Sequence, residues 1–126
     1  MFSHVMVGAD DIDAAKKFYD ATFKALGGRE GSVDPKGRVM YIKDGSIFIV
    51  TRPIDGQPAS CANGGTIGFA AASQEEADAW HEAGKNAGGT EIEDPPGMRE
   101  QGGMRLYLAY LRDPAGNKLC AMYRPD

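Results

Sequence analysis

The pattern of apolar and polar positions divides the chain into two stretches of similar order. Residues 3–9 (SHVMVGA) form a short apolar run, and residues 10–28 carry apolar side chains at helical spacing, which predicts a strand followed by a helix. Asp10 or Asp11 is placed to accept backbone N–H bonds at the helix start, and glycine follows its last apolar position. The predicted apolar stripe consists of Ile12, Ala15, Phe18, Tyr19 and Leu26.

The same order returns in residues 64–89 (GGTIGFAAASQEEADAWHEAGKNAGG). Ser73 is the expected helix cap, Glu76 completes a capping box, and Gly88-Gly89 ends the helix. Aligning the two stretches indicates a duplicated module. The alignment pairs His4 with Thr66, Val5 with Ile67, Val7 with Phe69, Ala15 with Ala77, Phe18 with Trp80, and Gly27 with Gly89.

Each predicted helix is followed by β-rich runs. In the first half these are residues 38–43 and 47–51, joined by an Asp-Gly turn that is typical of hairpins. In the second half they are residues 105–111 and 118–123, which flank the turn DPAGN. Further short strands are expected near residues 28–33 and 90–93.

These elements predict an α+β fold made of two βαβββ modules related by a pseudo-twofold axis, with curved mixed sheets enclosing a cleft. We expect a single domain over residues 1–126, because a chain of this length buries one continuous core. Module one covers about residues 1–53, a Pro- and Gly-rich linker about 54–64, and module two about 65–126. The loop at residues 94–103 (DPPGMREQGG) is long enough to act as a lid.

Strand alternation predicts which side chains face the cleft. Val5 and Val7 should pack under the first helix, which leaves His4 and Met6 on the cleft side. The same reasoning puts Phe48 and Leu119 under helices. The cleft-facing set on the remaining strands is then expected to include Ile49, Thr66, Cys120 and Met122.

Composition and charge narrow the partners. The net charge is −4 and the basic residues are scattered, so no nucleic-acid-binding footprint is present. No apolar run approaches the roughly 20 residues that span a bilayer, so no membrane partner is expected. We expect a cytoplasmic protein whose two cysteines, Cys61 and Cys120, remain thiols.

The opening SHV, the Phe18-Tyr19 pair in the first helix and the late DPAGNKL hairpin resemble the vicinal oxygen chelate superfamily of glyoxalases, extradiol dioxygenases and bleomycin-binding proteins. The resemblance covers essentially the whole chain. It implies that a divalent metal, or a ligand bound without metal, occupies the cleft. It also implies a homodimer, which the unpaired sheet edges independently favour.

In metal-using members of this superfamily, ligands come from the first and last strand of each half. The matched positions here read His4, Ile49, Thr66 and Cys120. His4 is the one ordinary ligand among them, since isoleucine donates nothing and Cys120 stands where glutamate is usual. We therefore expect no cofactor, although a divalent metal on His4 stays an alternative. His4 otherwise serves as a hydrogen-bonding residue, and Cys120 as a buried thiol.

Aromatic side chains offer possible cleft walls, and Tyr41, Tyr107 and Tyr110 are considered, with Tyr41 and Tyr110 as the candidates. Both alternating sets of the RLYLAYL strand contain a tyrosine, so periodicity does not decide which of the tyrosines faces inward. His81 is expected on the solvent side of the second helix, without a functional role.

The resulting functional hypothesis is a glyoxalase- or bleomycin-resistance-like protein that binds a small molecule between its modules without the usual metal site. The alternative is a metal-dependent lyase or isomerase of the lactoylglutathione lyase type. The residues alone do not decide whether the protein is an enzyme. A third reading, a structural or protein-interaction module, would require side chains to fill the cleft.

Overall fold

The computed structural model describes residues 1–125 as two halves of related order. The first half contains β1 (His4–Gly8), α1 (Ile12–Ala25), β2 (Ser32–Val33), β3 (Val39–Lys43) and β4 (Ser46–Thr51). The second half contains β5 (Ile67–Ala70), α2 (Gln74–Asn86), β6 (Thr90–Glu91), β7 (Gly97–Gln101), β8 (Met104–Arg112) and β9 (Lys118–Tyr123). The predicted α+β fold with a repeated module is confirmed, with one additional strand in the second half.

Two mixed sheets carry the fold. The first has four strands in the order β1-β4-β3-β2, and the second has five, in the order β5-β9-β8-β6 with β7 also paired to β8. In each sheet the first strand of the half pairs in parallel with the last one, while the other neighbours are antiparallel. Among residues 1–125 no strand of one sheet pairs with a strand of the other, so the sheets do not close into a barrel.

The extra strand corrects the prediction of a lid over residues 94–103. Its central part is β7, which pairs with β8 from Gly97 opposite Leu108 to Gln101 opposite Met104. Gly102 and Gly103 both have positive φ (57° and 81°), and they form the tight connection of this hairpin. The Gly102-Gly103 pair is a sequence signal for a hairpin turn. The polar sequence before it, however, lacks the apolar–polar alternation of a half-buried strand, so β7 was not predicted.

Local signals account for the helix limits. The side chain of Asp11 accepts a hydrogen bond from the Ala14 N–H at 2.9 Å, so Asp11 is the cap that begins α1. Ser73 caps α2 by accepting from the Glu76 N–H at 3.0 Å, and the Glu76 carboxylate accepts from the Ala72 N–H at 3.3 Å. Neither helix has the length and apolar character that crossing a bilayer requires.

One hydrophobic core joins the two halves. It contains the apolar stripes of both helices and the helix-facing side chains of both sheets. Phe18 and Trp80, which the repeat aligns, are 0% and 1% exposed, as predicted. The helices approach closely at Gly84, where an added Cβ would lie 2.3 Å from Leu111 Cδ1 and 3.1 Å from Phe18 Cε1. The sheets therefore share a core on one side and leave their other sides facing outward.

Candidate functional site

Each sheet presents an outer face, on the side away from the helices, and the alternation of the strands decides its composition. On the first sheet, the pairing places His4, Ile47 and Ile42 in one row and Met6, Ile49 and Met40 in the next. We call these six residues the first face. Met6 and Ile42 are 42% and 62% exposed, whereas Ile49 at the centre is buried. The first face is thus an open apolar surface with one imidazole at its edge.

The second face is the corresponding surface of the second sheet. It is formed by a cluster that is separate from the main core and consists of Leu106, Leu108, Tyr110, Cys120 and Met122. Leu106, Leu108 and Cys120 are each less than 7% exposed. Strand pairing puts Gly68, Cys120 and Tyr110 side by side. The second face therefore combines an enclosed apolar surface with one thiol and one phenol.

The thiol of Cys120 is protonated at neutral pH. Burial raises its pKa above the usual value, and its Sγ lies 3.5 Å from the carbonyl oxygen of Ala121. Because the thiolate is the form that attacks electrophiles and binds metal, Cys120 is here a small, buried and neutral group. The pKa of Tyr110 is also raised, again mainly by burial, so its phenol is a neutral hydrogen-bonding group.

Charged groups border the second face on one side. The ammonium of Lys118 lies 5.1 Å from the centre of the Tyr110 ring and pairs with the carboxylate of Glu93. Arg99, level with Leu106 in the β7–β8 pairing, donates to the carbonyl oxygens of Asp94 and Pro95 at 3.1 and 3.0 Å. Lys118 and Arg99 thus place two cations beside the apolar surface.

The four positions matched to family metal ligands divide between the sheets. His4 and Ile49 lie on the first sheet, whereas Cys120 lies on the second sheet. Thr66 is the residue immediately before β5, which belongs to the second sheet. Among residues 1–125 the structure brings together no group of three His, Cys, Asp or Glu side chains suited to a metal ion. His4 is exposed, and its Nδ1 forms a 2.8 Å hydrogen bond with the Ser3 hydroxyl. One imidazole, one protonated thiol and one hydroxyl do not fit an octahedral or tetrahedral site.

The predicted cleft residues His4, Met6, Ile49, Cys120 and Met122 all lie on the sides of their strands that face away from the helices, as the alternation argument requires. Tyr110 joins them on the second face. Their convergence in one cleft stays a prediction, because the two faces belong to different sheets.

Tyr41, one of the predicted cleft candidates, lies on the helix side of the first sheet rather than on the first face. It is 4% exposed and packs in the main core, with its ring centre 4.7 Å from that of Phe23. Its hydroxyl donates to Asp20 Oδ1 at 2.8 Å, and burial followed by this hydrogen bond raises its pKa. Alternation could not place Tyr41, because its neighbours Met40 and Ile42 are equally apolar. The hydrogen bond to Asp20 on α1 satisfies the hydroxyl of Tyr41, so the phenol can be buried on the helix side of the sheet.

His81 corrects a second expectation, since it is 6% exposed rather than solvent-facing. Burial lowers the pKa of its imidazole, and Nε2 lies 4.0 Å from the Glu91 carboxylate. The alignment that pairs Phe18 with Trp80 also pairs Tyr19 with His81. Because Tyr19 is fully buried, the repeat itself contained the signal for a buried residue at this position.

Sequence reasoning missed a buried polar network that joins the two halves. The hydroxyl of Tyr19 donates to Asp113 Oδ2 at 2.5 Å, and the side-chain amide of Asn117 donates to the same carboxylate at 2.9 Å and to the Gly8 carbonyl at 3.1 Å. Asp113 is 3% exposed. The FY pair of α1 and the DPAGN turn, noticed as separate motifs, are thus direct partners. The sequence signal for this network was the presence of a carboxylate, Asp113, at the start of the turn and an amide, Asn117, at its end.

A concavity of about 340 Å³ opens between the edges of β1 and β5, and its lining includes two of the predicted cleft residues, His4 and Tyr41. Its floor is the aromatic part of the main core, including Phe23, Phe48 and Phe69. The charged residues that line it, Lys43 and Asp44, form an ion pair with each other at 2.6 Å. The other polar side chains of its lining include those of Ser3, His4 and Ser46, so this cavity combines an apolar floor with polar groups at its edge.

The fold and the repeated module together define a class of protein. The chain belongs to the Glyoxalase/Bleomycin resistance protein/Dioxygenase superfamily, whose family model matches residues 1–121. No curated protein matches it by sequence.

Among solved structures, the chain is similar to a glyoxalase/bleomycin resistance protein from Albidiferax ferrireducens T118, with 52% identity, a TM-score of 0.95, and coverage of 98% of this chain and 99% of that one. A family enzyme from Burkholderia phytofirmans PsJN has 19% identity and a TM-score of 0.72, with 97% of each chain covered. A lactoylglutathione lyase from Agrobacterium tumefaciens has 23% identity and a TM-score of 0.68, covering 98% of this chain and 92% of that one. The latter two similarities show the fold alone.

Proposed function

We propose that this protein binds a small organic molecule on its second face, in the manner of the bleomycin-resistance branch of the superfamily and without a metal. The observation that carries the proposal is the chemistry of that face. A neutral thiol, a neutral phenol and three apolar side chains form one enclosed surface, with cations at its border. Small-molecule sites typically combine apolar walls with a few placed polar groups.

A second copy of the chain completes the site in this proposal. The first face exposes Met6 and Ile42 on an otherwise apolar sheet surface, which is unusual for a surface that stays in water. In a twofold dimer, the first face of each copy would pack against the second face of the other copy. The same contact would then occur twice, and all four faces would be covered. The cleft of the sequence-based hypothesis is then formed between copies.

The metal-free binding proposal is tested by thermal unfolding of the purified protein with added zinc, manganese or nickel. We expect no metal-dependent rise in Tm, because the ligand-matched positions supply one imidazole and a protonated thiol. His4→Ala should behave like the parent, and His81→Gln is the matched control with the other histidine removed.

A substantial rise in Tm for the parent and the control, abolished in His4→Ala, would overturn this proposal. It would instead support a metal-dependent lyase or isomerase with an unusual ligand set. Self-association is tested separately by sedimentation, where we expect a dimer at micromolar concentration. A monomer that still binds small aromatic probes would refute the shared site while leaving small-molecule binding intact.

A further inference from the structure

A small polar pocket of about 190 Å³ lies beside the second face, where the linker enters β5. Its lining contains two basic side chains and no acidic one, and consists of residues 62–65 together with Thr66, Arg112 and Lys118. We propose that this pocket binds the oxyanion of a small organic acid, a carboxylate or a phosphate, whose apolar part lies on the second face. This inference rests on the proposed function and names the class of ligand.

Strand register brings the three polar side chains of the pocket together. Lys118 pairs with Arg112 across β9 and β8, and Ile67 pairs with Leu119, so Thr66 lies level with Lys118. Leu119 and Ile67 belong to the main core, which puts their neighbours on the outer side. A hydroxyl, an ammonium and a guanidinium therefore form one row across three adjacent strands.

The guanidinium of Arg112 is held in place. Its Nη1 donates to the carbonyl oxygen of Gly116 at 2.7 Å, the one hydrogen bond that the structure gives it within residues 1–125. Four further N–H donors remain on a planar group whose geometry matches two oxygens of a carboxylate or phosphate. Fixing the guanidinium through the β8–β9 turn reduces the entropy lost when an anion binds.

Lys118 is shared with the carboxylate of Glu93, which opposes anion binding in part. Glu93 does not line the pocket, however, and it is half exposed, so water screens its charge. Two cations against one screened carboxylate leave the pocket positive. An oxyanion placed there would gain charge-assisted hydrogen bonds from both side chains and from the Thr66 hydroxyl.

The linker contributes backbone to the same pocket. Ala62 and Gly64 have φ of 47° and 97°, so left-handed residues flank Asn63. The Gly65 N–H donates to the Ala62 carbonyl at 2.7 Å, which closes this turn. Alternation of this kind turns successive N–H groups toward one concave side, the arrangement that binds anions in backbone nests.

The distance along β9 limits the size of the ligand. Lys118 and Cys120 point to the same side and are two residues apart, about 7 Å along a strand. An anionic group in the pocket therefore places a ring joined to it, directly or through one or two atoms, on Cys120 and Tyr110. Arylcarboxylates and aryl phosphates meet this requirement.

The test measures binding to the full-length protein by titration calorimetry and by amide chemical shifts. The probes are phenylacetate, phenyl phosphate, inorganic phosphate and the neutral 2-phenylethanol. We expect both aryl anions to bind more tightly than 2-phenylethanol, and to weaken as sodium chloride is raised. The tighter of the two identifies carboxylate or phosphate as the preferred group.

The variants are Arg112→Met and Thr66→Val, with Lys17→Met on the exposed side of α1 as the matched control for charge removal. Arg112→Met should weaken aryl-anion binding by about tenfold to a hundredfold, and Thr66→Val by less, while 2-phenylethanol is unaffected. Thr66 is exposed, so Thr66→Val keeps the test valid if Arg112→Met disturbs the turn.

The outcomes separate this inference from the proposed function. If 2-phenylethanol binds on the second face while the aryl anions gain nothing and neither variant matters, the anion pocket is refuted and the proposed function stands. If inorganic phosphate shifts the amides of Gly64 and Gly65 but no aromatic probe reaches Cys120, the pocket stands and the proposed function is refuted. If no probe binds, both are refuted.

Discussion

The two outer faces began from one repeated module and differ in how far they are enclosed. On the first face, Ile42 is 62% exposed, whereas Leu108 on the second is 3% exposed. The neighbouring strands also differ. Beyond β3 the first sheet continues only with the two-residue β2, while β8 in the second sheet is bordered by β6 and by the five-residue β7.

The difference between the two faces indicates which positions of the duplicated module can change without disrupting the core. The buried sides kept equivalent positions buried, since Phe18 aligns with Trp80 and Tyr19 with His81. The outer faces diverged, because they do not hold the core together. The second face therefore carries a thiol, a phenol and neighbouring cations that the first face lacks.

The largest expected effect tests the part that the modules share. Phe18→Ala and Trp80→Ala should each lower the free energy of unfolding by about 3–5 kcal/mol, because each leaves a large cavity in one continuous core. Urea denaturation followed by circular dichroism measures this. A loss below about 1 kcal/mol for either variant would contradict a core common to both halves.

A lysine placed on each outer face compares the faces directly. Leu108→Lys should cost about 3 kcal/mol or more, since a charge would replace a buried leucine. Ile42→Lys should change the free energy of unfolding of the monomer by less than about 0.5 kcal/mol. Denaturant titrations at low protein concentration check both values. Equal costs would show that the faces are equally enclosed.

Two tyrosine–aspartate hydrogen bonds, one between the halves and one within the second half, form a matched pair that tests the contact between the halves. Tyr19→Phe removes the phenol that donates to the buried Asp113, and should cost about 1–3 kcal/mol. Tyr107→Phe removes a 2.6 Å bond to Asp78 that water can replace, and should cost less than about 1 kcal/mol. If the two variants unfold at the same urea concentration, the buried network does not stabilise the junction.

The smallest expected effect is on pH dependence. Burial lowers the pKa of His81 in the folded protein, so the unfolded chain binds a proton at a higher pH than the native one. The contribution of neutral His81 is complete above the unfolded pKa of about 6.5 and is lost as pH falls through the lower folded value. The slope from this group is at most about 1.4 kcal/mol per pH unit. His81→Gln should flatten the stability curve between pH 5 and pH 7, and an unchanged curve would mean that His81 stays accessible to water.

Most of the fold was predictable because its signals are local. The caps of both helices, the glycines that end them and the Asp44-Gly45 hairpin act within a few residues of one another. Their repetition along the chain added the second half without further assumptions. The outer-face residues on β1, β4 and β9 followed from alternation, since their neighbours clearly belonged under helices.

The site was less predictable because its contacts are not local. Nothing near Tyr41 indicated that its hydroxyl would find Asp20 on α1. The anion pocket depends on strand register, which brings Arg112 and Lys118 level with Thr66 from distant parts of the sequence. Residue types alone marked these three as an isolated hydroxyl and two surface charges.

By itself the sequence determined both helices, most of the strands, the duplication, the family and the side of each clearly alternating strand, since propensities, caps and periodicity act over short distances. Tertiary structure alone decided which tyrosine entered the core, that residues 97–101 pair with β8 as strand β7, and how Tyr19 met Asp113 and Asn117. Those outcomes depend on burial and on hydrogen bonds between segments far apart in the chain. Their free energies arise only once the two sheets have packed around the shared helices.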